Sequence, residues 1–332
     1  MWTTKCLLQS KYPHIRRFLL WLPVFLLLPA AFLFAQENDT VVVDKKVITL
    51  SEIIIRNNVD IPSFIEKVKN DTTFYKAFRN LRVLNFTSLN DIRMFNKKGK
   101  VKASLYSKTT QWANKGCRHT TILNEEVTGD MYDSDHHYNY YTPELYASLF
   151  FASDTICGET NIVKGAELNV IGKSGMAKHK EQLKMLFFNP GKAIPGLPFI
   201  GSKTAIFEED MAPLYEYHLD LQEHLGELCY VFAIKVKDDL SGAKRNRVVI
   251  DEMITWFNVT TFEVIARNYA MSYKAGIYDF DVQMQVEMTK TNGYLVPKLL
   301  RYTGNWDVIF KKRESGVFTA TLFDFGSSEW LR

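Results

Sequence analysis

The sequence predicts an α+β protein built on a large curved antiparallel β-meander, half-barrel-like in form, with a few packing helices. Residues 278–288 alternate large apolar and polar side chains without a break, which is typical of a strand with one buried face. At roughly 3.3 Å per residue this strand is over about 30 Å long. Asn292-Gly293 follows it, and this pair is a strong hairpin signal that predicts a return strand over 294–302. Further β-rich runs, separated by turn residues, continue the main meander across 211–325.

The N-terminal 35 residues have the pattern of a secretory signal. A basic segment ends at Arg16-Arg17, an apolar run covers 18–34, and the chain turns polar at Gln36. An uncleaved membrane anchor is the alternative, since the apolar run is close to the shortest that crosses a bilayer. We therefore expect a signal peptide at 1–35 and a single α+β domain at 36–332, exported to the periplasm or associated with the outer membrane.

The charge balance argues against a nucleic-acid partner. The chain holds 41 basic and 37 acidic residues, and four of the basic ones with none of the acidic ones lie in residues 1–35. The remaining 37 of each sign leave a net charge of zero, without the basic surplus typical of nucleic-acid binding.

Three cysteines remain after residue 35. Cys229 lies in an apolar strand pattern and is expected to be a small core residue. Cys117 and Cys157 lie in less regular segments, and they are the pair expected to form a disulfide if one forms in an exported protein.

The N-terminal half mixes helices with a smaller meander. Helical spacing of apolar residues follows Asp60 and extends to Phe78, and β-rich segments cover 82–130. Thr142-Pro143 is a helix start with Thr142 as the N-cap, and a further helix is expected over 174–188. In the C-terminal half, the run 228–236 is apolar on both faces and is therefore expected to be a central strand.

Motifs for catalysis, metal or cofactor binding are sparse. Residues 130–138 hold three aspartates and two histidines, but their spacing matches neither a zinc site nor a calcium loop, so an exposed polar loop is the expectation. The sequence lacks a nucleophile elbow, a phosphate-binding glycine loop and a zinc-protease motif. We expect no enzyme activity, no metal and no cofactor, although an enzyme whose site converges from distant residues stays an alternative.

The least ordinary stretch is 191–207, because it combines backbone breakers with apolar side chains. Gly191, Pro195 and Pro198 interrupt the backbone, whereas Leu197 and its neighbours are apolar. Loops are usually polar and exposed. This loop is therefore expected either to tuck under the sheet or to form a lid over an apolar ligand.

The order of strands in the C-terminal half resembles a known family. The strand patterns 227–236 and 249–258, the turn at Thr260-Thr261 and the strand that follows it to Arg267 are similar to the LolA/LolB-like outer-membrane lipoprotein-sorting carriers. Secreted envelope proteins of Gram-negative bacteria with similar meanders share this pattern. The resemblance implies an open half-barrel whose concave apolar face is covered by helices and loops and holds acyl chains.

The leading hypothesis is a non-enzymatic envelope protein that binds lipid or another apolar ligand in the concave sheet. Its expected ligand-binding residues belong to a lid and to a strand wall: Leu197, Phe199 and Ile200 in the lid, and Phe280, Met284 and Met288 in the wall. The candidate partners are lipid, a lipoprotein or another envelope protein. The alternatives are an envelope interaction protein with a closed core, which would expose Trp112, Trp306 or Trp330, and a hydrolase with a dispersed site.

Overall fold

The computed structural model describes residues 40–43, 46–49, 60–152, 154–163, 185–194, 200–275, 278–308 and 313–326. All of them belong to one unit, Asn38–Arg332. The expected signal peptide at 1–35 and Trp330 lie outside the described residues, so the division into a signal and one domain stays a prediction. In the part of the chain described, no helix has both the length and the apolar character needed to cross a membrane.

The fold is a single curved, unclosed antiparallel sheet of eleven strands with a small separate hairpin. The hairpin pairs β1 (Thr40–Val43) with β2 (Lys46–Thr49). The strands of the large sheet are, in chain order, β3 (Asn85–Phe95), β4 (Val101–Asn114), β5 (Cys117–Gly129), β6 (Ile156–Cys157), β7 (Tyr215–His224), β8 (Glu227–Val236), β9 (Ile250–Asn258), β10 (Val264–Ala275), β11 (Tyr278–Thr291), β12 (Tyr294–Val308) and β13 (Glu314–Gly326). This is the predicted α+β, half-barrel-like meander.

The spatial order of the sheet is β6-β5-β4-β3-β13-β12-β11-β10-β9-β8-β7. The two predicted meanders are therefore one sheet, joined where the last strand β13 pairs antiparallel with β3. The hairpin turn between β11 and β12 has positive φ at Asn292 (48°) and Gly293 (77°), the backbone that this residue pair favours. The register that follows places Met284 opposite Tyr302.

The helices are few and short. They are α1 (Ile61–Asn70), α2 (Thr73–Asn80), α3 (Tyr141–Phe150) and α4 (Gly242–Arg245), with single 3-10 turns at Leu81–Val83 and Ala212–Leu214. Of the helix expected over 174–188, the structure describes only 185–188, which are helical. The single helix expected after Asp60 is broken in two at Asp71, because Asp71 is extended and its Oδ1 accepts the Thr73 N–H at 2.9 Å.

The core lies between the helices and one face of the sheet, which we call the inner face. Along β11 the inner face carries Phe280, Val282, Met284, Val286 and Met288, all buried. The polar residues between them lie on the opposite, outer face, as period-two alternation predicts.

The expectation that 228–236 forms a central strand is wrong. This segment is β8, which lies next to the edge strand β7. Its outer face carries the apolar residues Cys229 and Val231, and both are buried. Val231 pairs there with Trp256 of β9. The His224 ring of β7 stacks on Trp256 with ring centroids 4.5 Å apart. A small second apolar cluster on the outer face therefore explains a pattern that resembled a doubly covered strand.

Candidate ligand site

A small apolar cavity lies between α3 and the inner face of β11–β13. Its volume is about 20 Å³, which is room for about one water molecule. The residues that line it come from three parts of the chain: Tyr141, Thr142, Leu145, Tyr146 and Leu149 of α3; Phe187 of the helical segment 185–188; and Met284, Tyr302, Trp306 and Phe318 of the sheet. An apolar chain therefore enters only if α3 or its side chains move.

The N-terminus of α3 is attached to the sheet by Glu314 of β13. The Glu314 carboxylate accepts the backbone N–H groups of Tyr141 at 2.6 Å and Thr142 at 2.9 Å, and the Thr142 hydroxyl at 2.8 Å. The N-cap is Tyr140, two residues before the predicted N-cap Thr142, so that Thr142 lies in the first turn of the helix. The Glu314 carboxylate, from a strand distant in the sequence, therefore accepts hydrogen bonds from backbone N–H groups that have no partner within the helix.

A buried polar network borders the cavity on the β3–β4 side. Tyr146 of α3 donates its hydroxyl to Asn90 Oδ1 at 2.7 Å, and Ser88 donates to the same oxygen at 2.7 Å. The amide nitrogen of Asn90 in turn donates to the Ser107 hydroxyl at 3.2 Å. Burial raises the pKa of Tyr146, so its hydroxyl stays protonated and serves as a donor. The network fixes one wall of the cavity.

Aromatic side chains build the opposite wall. The Tyr302 ring stacks on Phe318 with centroids 4.9 Å apart, and the Trp306 indole N–H donates to the Tyr302 hydroxyl. Tyr269 of β10 donates its hydroxyl to the Phe187 carbonyl at 2.7 Å, which fixes the segment 185–188 above the sheet. Burial raises the pKa of both tyrosines, so both hydroxyls remain protonated.

The structure brings one of the predicted wall residues, Met284, into the cavity lining. Phe280 is buried beside the cavity, with its ring 5.4 Å from that of Trp306. Met288 is buried further along β11, opposite Pro297. Of the predicted lid, Leu197 and Phe199 lie outside the described residues.

The described part of the 191–207 loop is packed into the core. Ile200 and Ile206 have no exposed surface and Ile194 is 3% exposed. The Thr204 hydroxyl holds the loop by donating to the Lys192 carbonyl at 2.7 Å. Of the two arrangements expected for this loop, a segment packed under the sheet or a lid over a ligand, the described residues show the first.

The expected cysteine pair is bonded in the structure. The Sγ atoms of Cys117 in β5 and Cys157 in β6 are 2.03 Å apart, and these two residues are direct partners across the two strands. Cys229 is a free, buried thiol.

Three polar side chains of the 130–138 turn come close together. The ligand atoms of Asp133, Asp135 and His137 lie within 4.8 Å of one another, and all three residues are exposed. Asp133 Oδ1 accepts the backbone N–H groups of Asp135 at 2.9 Å and His137 at 2.8 Å. The His137 N–H lowers the pKa of Asp133. These bonds form the turn and account for the arrangement of the cluster.

Sequence reasoning missed most of the cavity. Trp306 was a candidate for an exposed surface, but it is 5% exposed and lines the cavity. Tyr302 and Trp306 are four residues apart on one strand and therefore share a face, a signal that could have assigned them to the wall. No comparable signal in the sequence predicted that α3 lines the cavity, because its contact with β11–β13 joins residues far apart in the chain.

Two bacterial proteins are among the solved structures to which the chain is similar. The chain is similar to a DUF1329 family protein from Desulfovibrio piger, with 10% identity and a TM-score of 0.25 over 78% of this chain and 92% of that one. It is also similar to a domain from Vibrio parahaemolyticus named for outer membrane lipoprotein sorting, with 9% identity and a TM-score of 0.27 over the same shares of the two chains. No protein-family model matches the chain, and no curated protein is significantly similar to it.

Proposed function

We propose that this is a non-enzymatic protein of the cell envelope that holds the apolar chain of a lipid or lipoprotein between α3 and the inner face of the sheet. The observation that carries the proposal is the cavity, because its lining is almost wholly apolar and includes the adaptable side chain of Met284. The Cys117–Cys157 disulfide supports export, since such bonds persist in oxidising compartments.

The small volume of the cavity implies that binding enlarges it. At about 20 Å³ it cannot admit an acyl chain as it stands. The α3 helix is the element most suited to move, since Leu149 near its C-terminal end is only partly buried and Glu314 holds its N-terminal end. In this proposal α3 pivots about the Glu314 contact and the chain takes the place of Leu145 and Leu149 against Met284.

The first test is mass spectrometry of organic extracts of the purified protein, comparing Leu149→Glu with Leu228→Glu. Leu149 lines the cavity, whereas Leu228 is 49% exposed on β8 and serves as the matched control. We expect a stoichiometric lipid with the unmodified protein and the control, and its loss with Leu149→Glu. Lipid-free extracts of a folded, unmodified protein would count against the proposal.

A second candidate function, an envelope interaction protein, is favoured by the exposed strand β5. Ile122 is 56% exposed, Leu123 55% and Val127 39%. Beyond Thr120, β5 has no described neighbour on its far side, because β6 pairs only with Cys117 and Arg118. Such an edge can accept a strand from a partner. Capture of one defined envelope protein that Ile122→Lys abolishes, together with lipid-free extracts, would favour this function.

A further inference from the structure

Arg267 is a buried cation for which no carboxylate of the described residues lies within ion-pair distance. It lies on the inner face of β10 and is 6% exposed. Its Nε donates to the Thr255 hydroxyl at 2.9 Å, and its guanidinium lies 4.3 Å from the ring centroid of Phe74 in α2. Among the residues that the structure describes, none forms an ion pair with it within 4.0 Å. A buried charge without an ion-pair partner is costly, and such a group can mark a site for an anion.

Arg118 shows how this protein compensates a comparable charge elsewhere. It is 9% exposed, and its Nε contacts a Glu159 carboxylate oxygen at 2.6 Å. Its Nη1 donates to Gln111 Oε1 at 3.0 Å. Two protein acceptors therefore bind the guanidinium of Arg118, whereas among the described residues Arg267 has the single hydroxyl of Thr255 as acceptor.

A second cation lies in the same region. Lys192 is partly buried and donates from Nζ to the Asp71 carbonyl at 3.1 Å. Burial lowers the pKa of Lys192 and the charge of Arg267 adds to this, while Asp71 acts in the opposite direction. The Asp71 carboxylate is partly engaged, because its Oδ1 accepts the Thr73 N–H at 2.9 Å. Asp71 is therefore the carboxylate whose charge acts on both cations, Lys192 and Arg267, without forming an ion pair within 4.0 Å with either of them among the described contacts.

Arg267 lies on the same face of the sheet as the cavity. Arg267 and Tyr269 are two residues apart on the inner face of β10, and Tyr269 pairs with the cavity residue Met284. Two residues along a strand span roughly 7 Å. A head group at Arg267 is therefore within reach of a chain that occupies the cavity.

We propose that Arg267, assisted by Lys192 and Thr255, binds the anionic head group of the ligand, a carboxylate or a phosphate, while the apolar chain occupies the cavity under α3. This inference rests on the proposed function and narrows it to amphipathic anions. Arginine suits the role because its planar donors match both anions in a bidentate geometry. The site is inside the protein, so the attraction is little screened by salt.

The experiment is calorimetric titration of the purified protein with oleate, oleyl phosphate, oleyl alcohol and inorganic phosphate. The variants are Arg267→Met and, as a matched control, Arg93→Met, whose guanidinium is 53% exposed in a surface pair with Asp91. We expect the unmodified protein and the control to prefer at least one anionic chain over the alcohol by about 10- to 100-fold. Arg267→Met should lose this preference and bind the alcohol as before.

The four titrations separate the outcomes. Equal binding of alcohol and both anions by the unmodified protein would overturn the head-group site and leave the cavity intact, whereas no binding of any chain would refute the proposed function itself. Inorganic phosphate bound as tightly as oleyl phosphate would overturn the assignment to a lipid head group. If Arg267→Met does not fold, Lys192→Met and Arg267→Lys replace it, and an unchanged preference in both would refute the proposal.

Discussion

The part of the sheet from β11 to β7 and the part around β5, near the opposite edge, reach very different degrees of burial. At β11 the inner residues from Phe280 to Met288 are 5% exposed or less, and Met284 lies under α3 and Phe187. At β5 even the inner-facing Ile122 and Val127, which pair with buried residues of β4, are 56% and 39% exposed. We call the part from β11 to β7 the covered end and the part around β5 the open end. They differ in the elements that pack on the sheet.

The two ends are consequently stabilised by different interactions. The covered end relies on apolar packing, as at Phe64 of α1, whose ring makes edge-to-face contacts with Phe232 at 5.4 Å and Phe262 at 5.3 Å. The open end uses the Cys117–Cys157 disulfide and the carboxylate of Glu159, which pairs with Arg118 at 2.6 Å and Arg82 at 3.1 Å. The comparison teaches that the elements packed on the sheet decide which strands enter the core.

The largest effect should come from Phe64→Ala at the covered end. Phe64 is 4% exposed, and removal of its ring leaves a cavity that costs about 3–5 kcal/mol of unfolding free energy. The matched change at the open end is Ile122→Ala, which should stay within about 0.5 kcal/mol because the side chain is exposed. Urea unfolding measures both, and similar costs for the two variants would contradict the comparison.

Removal of the disulfide should weaken the open end selectively. The bond closes a separation of 40 residues, and the double variant Cys117→Ser/Cys157→Ser should lose about 2–4 kcal/mol. Hydrogen exchange should accelerate in β5 and in 154–163 and change little in β10 and β11. Acceleration that is uniform across the sheet would show that the two ends unfold as one unit.

Glu314→Gln tests the connection of α3 to the sheet. The glutamine amide keeps one acceptor oxygen but lacks the negative charge to which three groups now donate. We therefore expect the unfolding free energy to fall by about 1–3 kcal/mol. Hydrogen exchange should locate the loss in α3. Glu126→Gln, at an exposed position of β5, is the control and should be close to neutral. An unchanged α3 in Glu314→Gln would refute the attachment.

The sequence predicted what depends on neighbours in the chain. The strand at 278–288, its Asn292-Gly293 hairpin and the half-barrel-like meander followed from local periodicity and turn chemistry. The pairing of β13 with β3 did not, since it joins residues more than 200 positions apart. The same holds for the site: Met284 was predicted from alternation, whereas Glu314 and Arg267 gain their roles from tertiary neighbours that no local pattern encodes.

The smallest effect concerns His224, on the outer face of the covered end. Its ring stacks on Trp256, and burial lowers the pKa of His224 while Glu287 acts in the opposite direction. The neutral imidazole is thus favoured in the folded protein, so its contribution to stability is present above the unfolded-state pKa of about 6.5 and declines as the pH falls below it.

His224→Phe should keep the stacking and remove the titration. Between pH 8 and pH 5.5 the unmodified protein should lose more unfolding free energy than the variant, and the loss should be small because the ring is only partly buried. At pH 8 to 9 the imidazole is neutral in both states, so the difference between the two proteins should be constant there. A difference that is also constant down to pH 5.5 would mean that Trp256 and its neighbours do not disfavour the protonated ring, and that the outer face of the covered end is as open to water as β5.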